Sequence, residues 1–423
     1  MKWNFIYILF ISLPLANIIH ESGELSEFLG GHSPGSSYDN WVSHVTEGIA
    51  SDGFNDYGPD WLDVQTTGFG NYNKLEFGNP ILSYWEDIFS NFILGDTTLV
   101  DSLLQDSIES FYYELVVFED TVYNQIFHII REQLDTSFID LNQSDNDLDD
   151  VVGSFRNGWG MYIINPQATR EQVVIQVPHP CDDFIAPYIA IDIFLETNAF
   201  AFMINGAGRE VLWTEVGNYS NSKSLSDPSR YPNTIFQKFQ EVAVHPLIGI
   251  NPHWPLVFAI HSFDNESHED RKSIIIAAGG QNSFTTKPIR DITDDHFDII
   301  NFTSEYPIDE GQFGNTNSLH VTDYYEVFYD DQCVFDNGET EFPITLATEL
   351  KGPSNGVQMV DLQNLTSNFS VYEPWVHIEL DEKPMLFDSI GFSNDSIYQN
   401  GSYPTGIQNF SQIREYYQPF IHG

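Results

Sequence analysis

Apolar residues along this chain follow two rhythms, and the change comes near residue 151. Between residues 81 and 140, Leu99, Leu103, Ile108, Phe111 and Leu115 recur at three- to five-residue steps, and Val122, Ile126, Ile130 and Leu134 continue the stripe. That spacing predicts two or more amphipathic helices packed on a neighbouring surface. From residue 151 the apolar runs become short, β-branched and aromatic: MYII, VVIQV, FAFMI, LVFAI, SIIIA and WVHIEL. Helical patterns such as APYIAIDIFLETN and NTIFQKFQEVA lie between several of them. Strands alternating with helices predict an α/β fold with a mixed, largely parallel sheet flanked by helices. Strands are expected near 172–177 and 255–260. In WVHIEL, alternation puts Val376, Ile378 and Leu380 on a core face and turns Trp375, His377 and Glu379 toward solvent or a pocket.

The rest of the chain fixes the divisions. One lysine precedes an apolar stretch from Trp3 to Leu15, followed by Ala16. This is too short to span a bilayer and reads as a secretory leader over residues 1–16, which predicts an exported protein, periplasmic or extracellular. Residues 17–150 form an acidic, aromatic-rich N-terminal region with a helical extension, and 151–423 form the α/β domain. Within the first region, SDGFNDYGPD (residues 51–60) lacks the alternating aspartates and closing glutamate of a calcium loop. NQSDNDLDD, residues 142–150, reads as a linker or surface loop.

Charge narrows the partners. Sixty-two Asp and Glu against sixteen Lys and Arg give a net charge of −46, which excludes nucleic acid and anionic membrane surfaces as natural partners. Before residue 151 the only Lys and Arg are Lys2, Lys74 and Arg131. The others fall in the α/β domain, several of them near strand ends, where they would suit an anionic group. Export permits disulfides, and Cys181 and Cys333 are either one bridge or two buried thiols.

Candidate chemistry gathers where the apolar runs stop. In α/β sheets, sites form beyond the carboxyl ends of the strands. VVIQV is followed by His179, Asp182 and Asp183, FAFMI by NGAGRE with Arg209, and LVFAI by His261, while WVHIEL carries Glu379. Two imidazoles and a carboxylate leave an open position on a tetrahedral Zn2+. A neighbouring glutamate would act as general base, and an arginine would bind a substrate carboxylate or polarise a carbonyl. That inventory suits hydrolysis of an amide bond. Asp227 and Arg230 in SDPSRYPN are candidate substrate contacts, with ordinary turn and helix-cap chemistry as the alternative. His377 reads either as support for Glu379 or as a core histidine.

The series GWGMYIINP, VVIQVPHPCDDF, GAGRE, SDPSRYPNTIFQ, FAIHSF and WVHIEL resembles a family of mostly uncharacterised bacterial proteins. More distantly it is similar to zinc carboxypeptidases and N-formylglutamate amidohydrolases. The likeness runs from about Gly158 to Leu380. It implies His179, Asp183 and His261 as zinc ligands, Glu379 as base, and Arg209 as the arginine of the substrate loop. It also implies a small peptide or an N-acyl amino acid as substrate. Gly208 stands where the family's substrate loop carries histidine. The family pattern favours Asp183 as ligand, whereas the His-X-X-Glu spacing of classical zinc carboxypeptidases favours Asp182. Beside this hydrolase reading stand a non-catalytic binding protein of the same fold and an acidic surface structural protein.

Overall fold

The computed structural model describes residues 18–30, 41–42, 72–105, 112–134, 155–180, 183, 185–208, 225–229, 231–250, 256–263, 274–277, 321–323, 375–381, 417–418 and 420–421. The expected leader, the calcium-loop-like segment, the 142–150 linker, Cys181, Cys333, Asp182, Arg209 and Arg230 lie outside the described residues.

Among the described residues, ten strands form one mixed sheet. In chain order they are β1 (Ile19–Gly23), β2 (Tyr113–Asp120), β3 (Gln125–Glu132), β4 (Met161–Ile164), β5 (Arg170–Val177), β6 (Ala199–Ile204), β7 (Leu256–Phe263), β8 (Ile274–Ala277), β9 (Val321–Asp323) and β10 (Trp375–Asp381). Their spatial order is β1-β2-β3-β4-β6-β5-β7-β10-β8-β9. The centre, β6-β5-β7-β10, is parallel throughout. Antiparallel pairings join β2 to β3, β3 to β4, β4 to β6 and β10 to β8.

Helices cover both faces. One face carries α1 (Leu25–Gly30) and α4 (Ala186–Thr197), packed through Leu25, Phe28, Ile189 and Phe194 against Val116, Ile175 and Phe202. The other carries α2 (Pro80–Ile93), α3 (Thr97–Leu104) and α5 (Ile235–Ile250), packed through Trp85, Phe89, Val100 and Phe239 against Tyr162, Val174 and Val257. Each such fully buried Ile, Phe or Val stabilises the fold by about 1.5–3 kcal/mol. Strand alternation assigns the faces: in β5, Val173, Ile175 and Val177 go to the α4 side and Val174 to the α5 side.

The helical reading of residues 81–140 holds only as far as Leu104. Residues 113–120 and 125–132 are strands, paired antiparallel across a turn that contains Asn124 at φ 53°. A four-residue apolar step is also two periods of strand alternation, so the stripe alone was ambiguous. The β-branched and aromatic content of YELVVFED and QIFHIIRE decides for strand. Val122 and Ile126, read as stripe residues, are exposed. These strands continue the sheet into β4. Glu132 at the end of β3 fixes that join by accepting hydrogen bonds from the Asn157 and Gly158 amides, at 2.5 and 3.0 Å.

Connections around the parallel centre position the site. From β5 the chain passes through α4 to β6 on one side. From β6 it passes through α5 to β7 on the other side of β5. The order therefore reverses between β5 and β7, and the crevice beyond their carboxyl ends is where such sheets place ligands.

Candidate metal centre

His179 follows β5 by two residues, and the chain folds back on it at Asp183. The Asp183 amide donates to the His179 carbonyl at 2.9 Å, and Ala186 then donates to the Asp183 carbonyl, also at 2.9 Å, leading into α4. An i,i+4 separation in that geometry puts both side chains on one side of the turn. Asp183 Oδ2 lies 3.2 Å from His179 Nδ1. His261, near the end of β7, brings its own Nδ1 to 2.6 Å from the same oxygen. The His179 and His261 rings meet edge-on with centroids 4.9 Å apart.

Thus His179, Asp183 and His261 converge, all three buried, with one ligand atom from each lying within 4.8 Å of the other two. Neighbouring ligand atoms on a tetrahedral zinc ion with bonds of about 2.1 Å sit about 3.4 Å apart. The His179–Asp183 pair already has close to that separation, and the shorter His261–Asp183 contact would open slightly. Two imidazoles and a carboxylate also form a donor set that leaves one position free. The three residues could therefore hold a metal ion, with Asp183 as the carboxylate that meets both histidines.

Asp227 completes the arrangement from behind. Its Oδ1 lies 2.8 Å from His179 Nε2, on the opposite edge of the ring from Asp183, and also accepts the Ser229 amide at 2.8 Å. A carboxylate at Nε2 holds a proton there, so that Nδ1 would be left to bind a cation once its own proton is displaced, the arrangement typical of metal-binding histidines. Asp227 is fully buried, so the structure gives it a place behind the ligand. The turn chemistry expected of SDPS is present in the same residue, through the Ser229 bond. Asn205, just past β6, ties this wall together. Its amide donates to the Val177 carbonyl at 3.0 Å, and its side-chain nitrogen reaches the Ser226 carbonyl at 3.2 Å. A Cβ on Gly206 would come 2.4 Å from the Gly160 nitrogen, so only glycine lets the two loops touch there.

Glu379 pairs laterally with His261 across the β7–β10 ladder, and His377 pairs with Ala259. Val376, Ile378 and Leu380 pack in the α4-side core, as alternation predicts. The opposite face is less open than expected. Trp375 and His377 are buried, because the α5 layer covers that side of the sheet as well. His377 Nε2 lies 2.8 Å from Glu379 Oε1, and its ring stacks on His261 at 4.5 Å.

The electrostatics follow from burial among carboxylates. Burial works against a charged His179, yet Asp227 and Asp183 on either side raise it to about 10. Burial would raise Asp183, but His179 and His261 hold its carboxyl below the usual range. Glu379 is likewise lowered despite burial, chiefly through His377. The carboxylates on either side of His179 favour its protonated form, and a divalent cation would satisfy the same carboxylates.

No helix among the described residues is long and apolar enough to cross a membrane. Comparison of the chain with protein-family models, with curated proteins and with solved structures gives no match.

Proposed function

We propose that this protein is a zinc-dependent hydrolase of an amide or peptide bond, acting outside the cytoplasm on a small peptide or an N-acyl amino acid. The observation that carries the reading is the convergence of His179 Nδ1, Asp183 Oδ2 and His261 Nδ1 at the reversal point of the sheet. His179, Asp183 and His261 hold the zinc, and Asp227 keeps His179 in the tautomer that can ligate. Zinc bound by such a set supplies Lewis acidity, polarising a carbonyl and making water nucleophilic near neutral pH. Glu379, an ionised carboxylate beside His261, takes the proton from the attacking water and returns it to the leaving nitrogen. By the family resemblance Arg209 binds the substrate carboxylate, an interaction suited to the planar guanidinium fork, and Arg230 of SDPSRYPN is a second candidate for that contact. The test is turnover of a panel of N-acyl amino acids and short peptides before and after chelation. The reading requires hydrolysis that disappears with chelator and returns with added zinc. Hydrolysis that survives complete metal removal would defeat it.

A further inference from the structure

Two features of His377 are not required by the fold. Its ring lies against a ligand: the His261 and His377 rings are 4.5 Å apart between centroids and inclined by only 25°. Its Nε2 lies 2.8 Å from Glu379 Oε1, two residues along the same strand. An ionised carboxylate can only accept, so the imidazole donates from Nε2. The strand register explains how one ring does both. Glu379 stands beside His261, and His377 stands beside Ala259, whose small side chain leaves room for the ring to lean toward His261.

A glutamate side chain has three rotatable bonds, and a base must hold its oxygen within hydrogen-bond reach of the proton it removes. Glu379 stands on a strand, and most of its own carboxylate is shielded, with 16% of the side chain exposed. Left alone, it would sample rotamers that point along the sheet. A single donor on the neighbouring same-face residue, itself buried and wedged against His261, removes that freedom.

We propose that His377 is a positioning residue for Glu379: its Nε2–H fixes one carboxylate oxygen, so that the other is presented to the His179–Asp183–His261 cluster. This rests on the hydrolase reading above, and it goes beyond that reading by giving the base a dedicated orienting partner.

The experiment uses the zinc-loaded full chain with two substitutions that separate donor from ring. His377→Phe keeps an aromatic ring against His261 and removes the donor. His377→Gln removes the ring and places an amide N–H near the position of Nε2. Zinc content is measured first, then the exchange-protected imidazole N–H signals of 15N-labelled protein, then kcat and KM on an amide substrate. The proposal expects wild-type zinc content in both variants. It expects a protected His377 Nε2–H signal in the wild type that is lost in His377→Phe. Turnover should fall by about tenfold to a hundredfold in kcat for His377→Phe with KM little changed, the usual effect of losing an orienting partner, and His377→Gln should recover most of it. Wild-type kcat in His377→Phe, equal impairment in both variants, or no protected Nε2–H signal in the wild type would each overturn the proposal. Where no amide substrate is turned over, the N–H signal decides. A wild-type chain that takes up no zinc sinks the hydrolase reading, and this inference falls with it.

Discussion

Two buried charge clusters sit in the same sheet and are built on opposite principles. At the β1–β3 end, Arg131 is fully buried and donates through both Nη atoms to Glu21, at 2.9 and 2.7 Å, and through Nε to Glu114 at 2.8 Å. Phe28 places its ring 5.3 Å from the same guanidinium. The positive charge there is permanent, because arginine does not lose its proton, and the bidentate pair fixes its geometry. At the β5–β7 end, Asp183 meets the imidazoles of His179 and His261, and Asp227 meets His179 and the Ser229 amide. A charge carried there by imidazole can be lost with its proton, and the same three side chains could hold a metal ion. The first cluster stitches three strands together, whereas the second is suited to hold something that comes and goes.

That contrast can be broken by substitution. The largest effect is expected at Arg131. Arg131→Met leaves Glu21 buried without its bidentate partner, so unfolding free energy should fall by about 3–5 kcal/mol. Chemical denaturation measures this, and the molecules that remain folded should bind zinc as before. Next in size is Glu379→Gln. Zinc and fold should be retained while turnover drops at least about a hundredfold, roughly 2.7 kcal/mol in the barrier, the scale of general-base catalysis. An unchanged rate would remove Glu379 from the mechanism. Asp227→Asn comes third. It leaves the ligand set intact and weakens the hold on the His179 tautomer, so zinc affinity measured by competition with a chelator should fall by about tenfold to a hundredfold. The smallest effect is expected at Glu114→Gln, which keeps an acceptor for Arg131 Nε at a partly solvated position and should cost about 1 kcal/mol or less. A loss there as large as that of Arg131→Met would mean that the first cluster is not dominated by the Arg131–Glu21 pair.

Much of the second cluster was legible in the sequence, and the first was not. VVIQV, LVFAI and WVHIEL are largely apolar runs, which mark strands buried on both faces; His179 and Asp183 come after the first, His261 after the second, and the third carries Glu379. His179, Asp183 and His261 could therefore be found by looking just past the runs. The choice between Asp182 and Asp183 could not be read from spacing. The structure brings Asp183 to both histidines, while Asp182 lies outside the described residues. The position of Asp227 was also out of reach, since nothing in SDPS says that its carboxylate reaches back across 48 residues to His179. Arg131 falls in a segment whose four-residue apolar step fits helix and strand alike. Its partner Glu21 lies 110 residues away on a strand of only five residues.

The β5–β7 cluster has the side chains to hold a metal ion. Elemental analysis of the purified full chain, equilibrated with zinc and freed of excess, tests it directly when run beside His179→Ala and His261→Ala. The site described here predicts about one zinc per wild-type chain, held by three protein ligands, and almost none in either variant, both variants remaining folded. A wild-type chain without zinc, or a His179→Ala chain that retains its full complement, would contradict it.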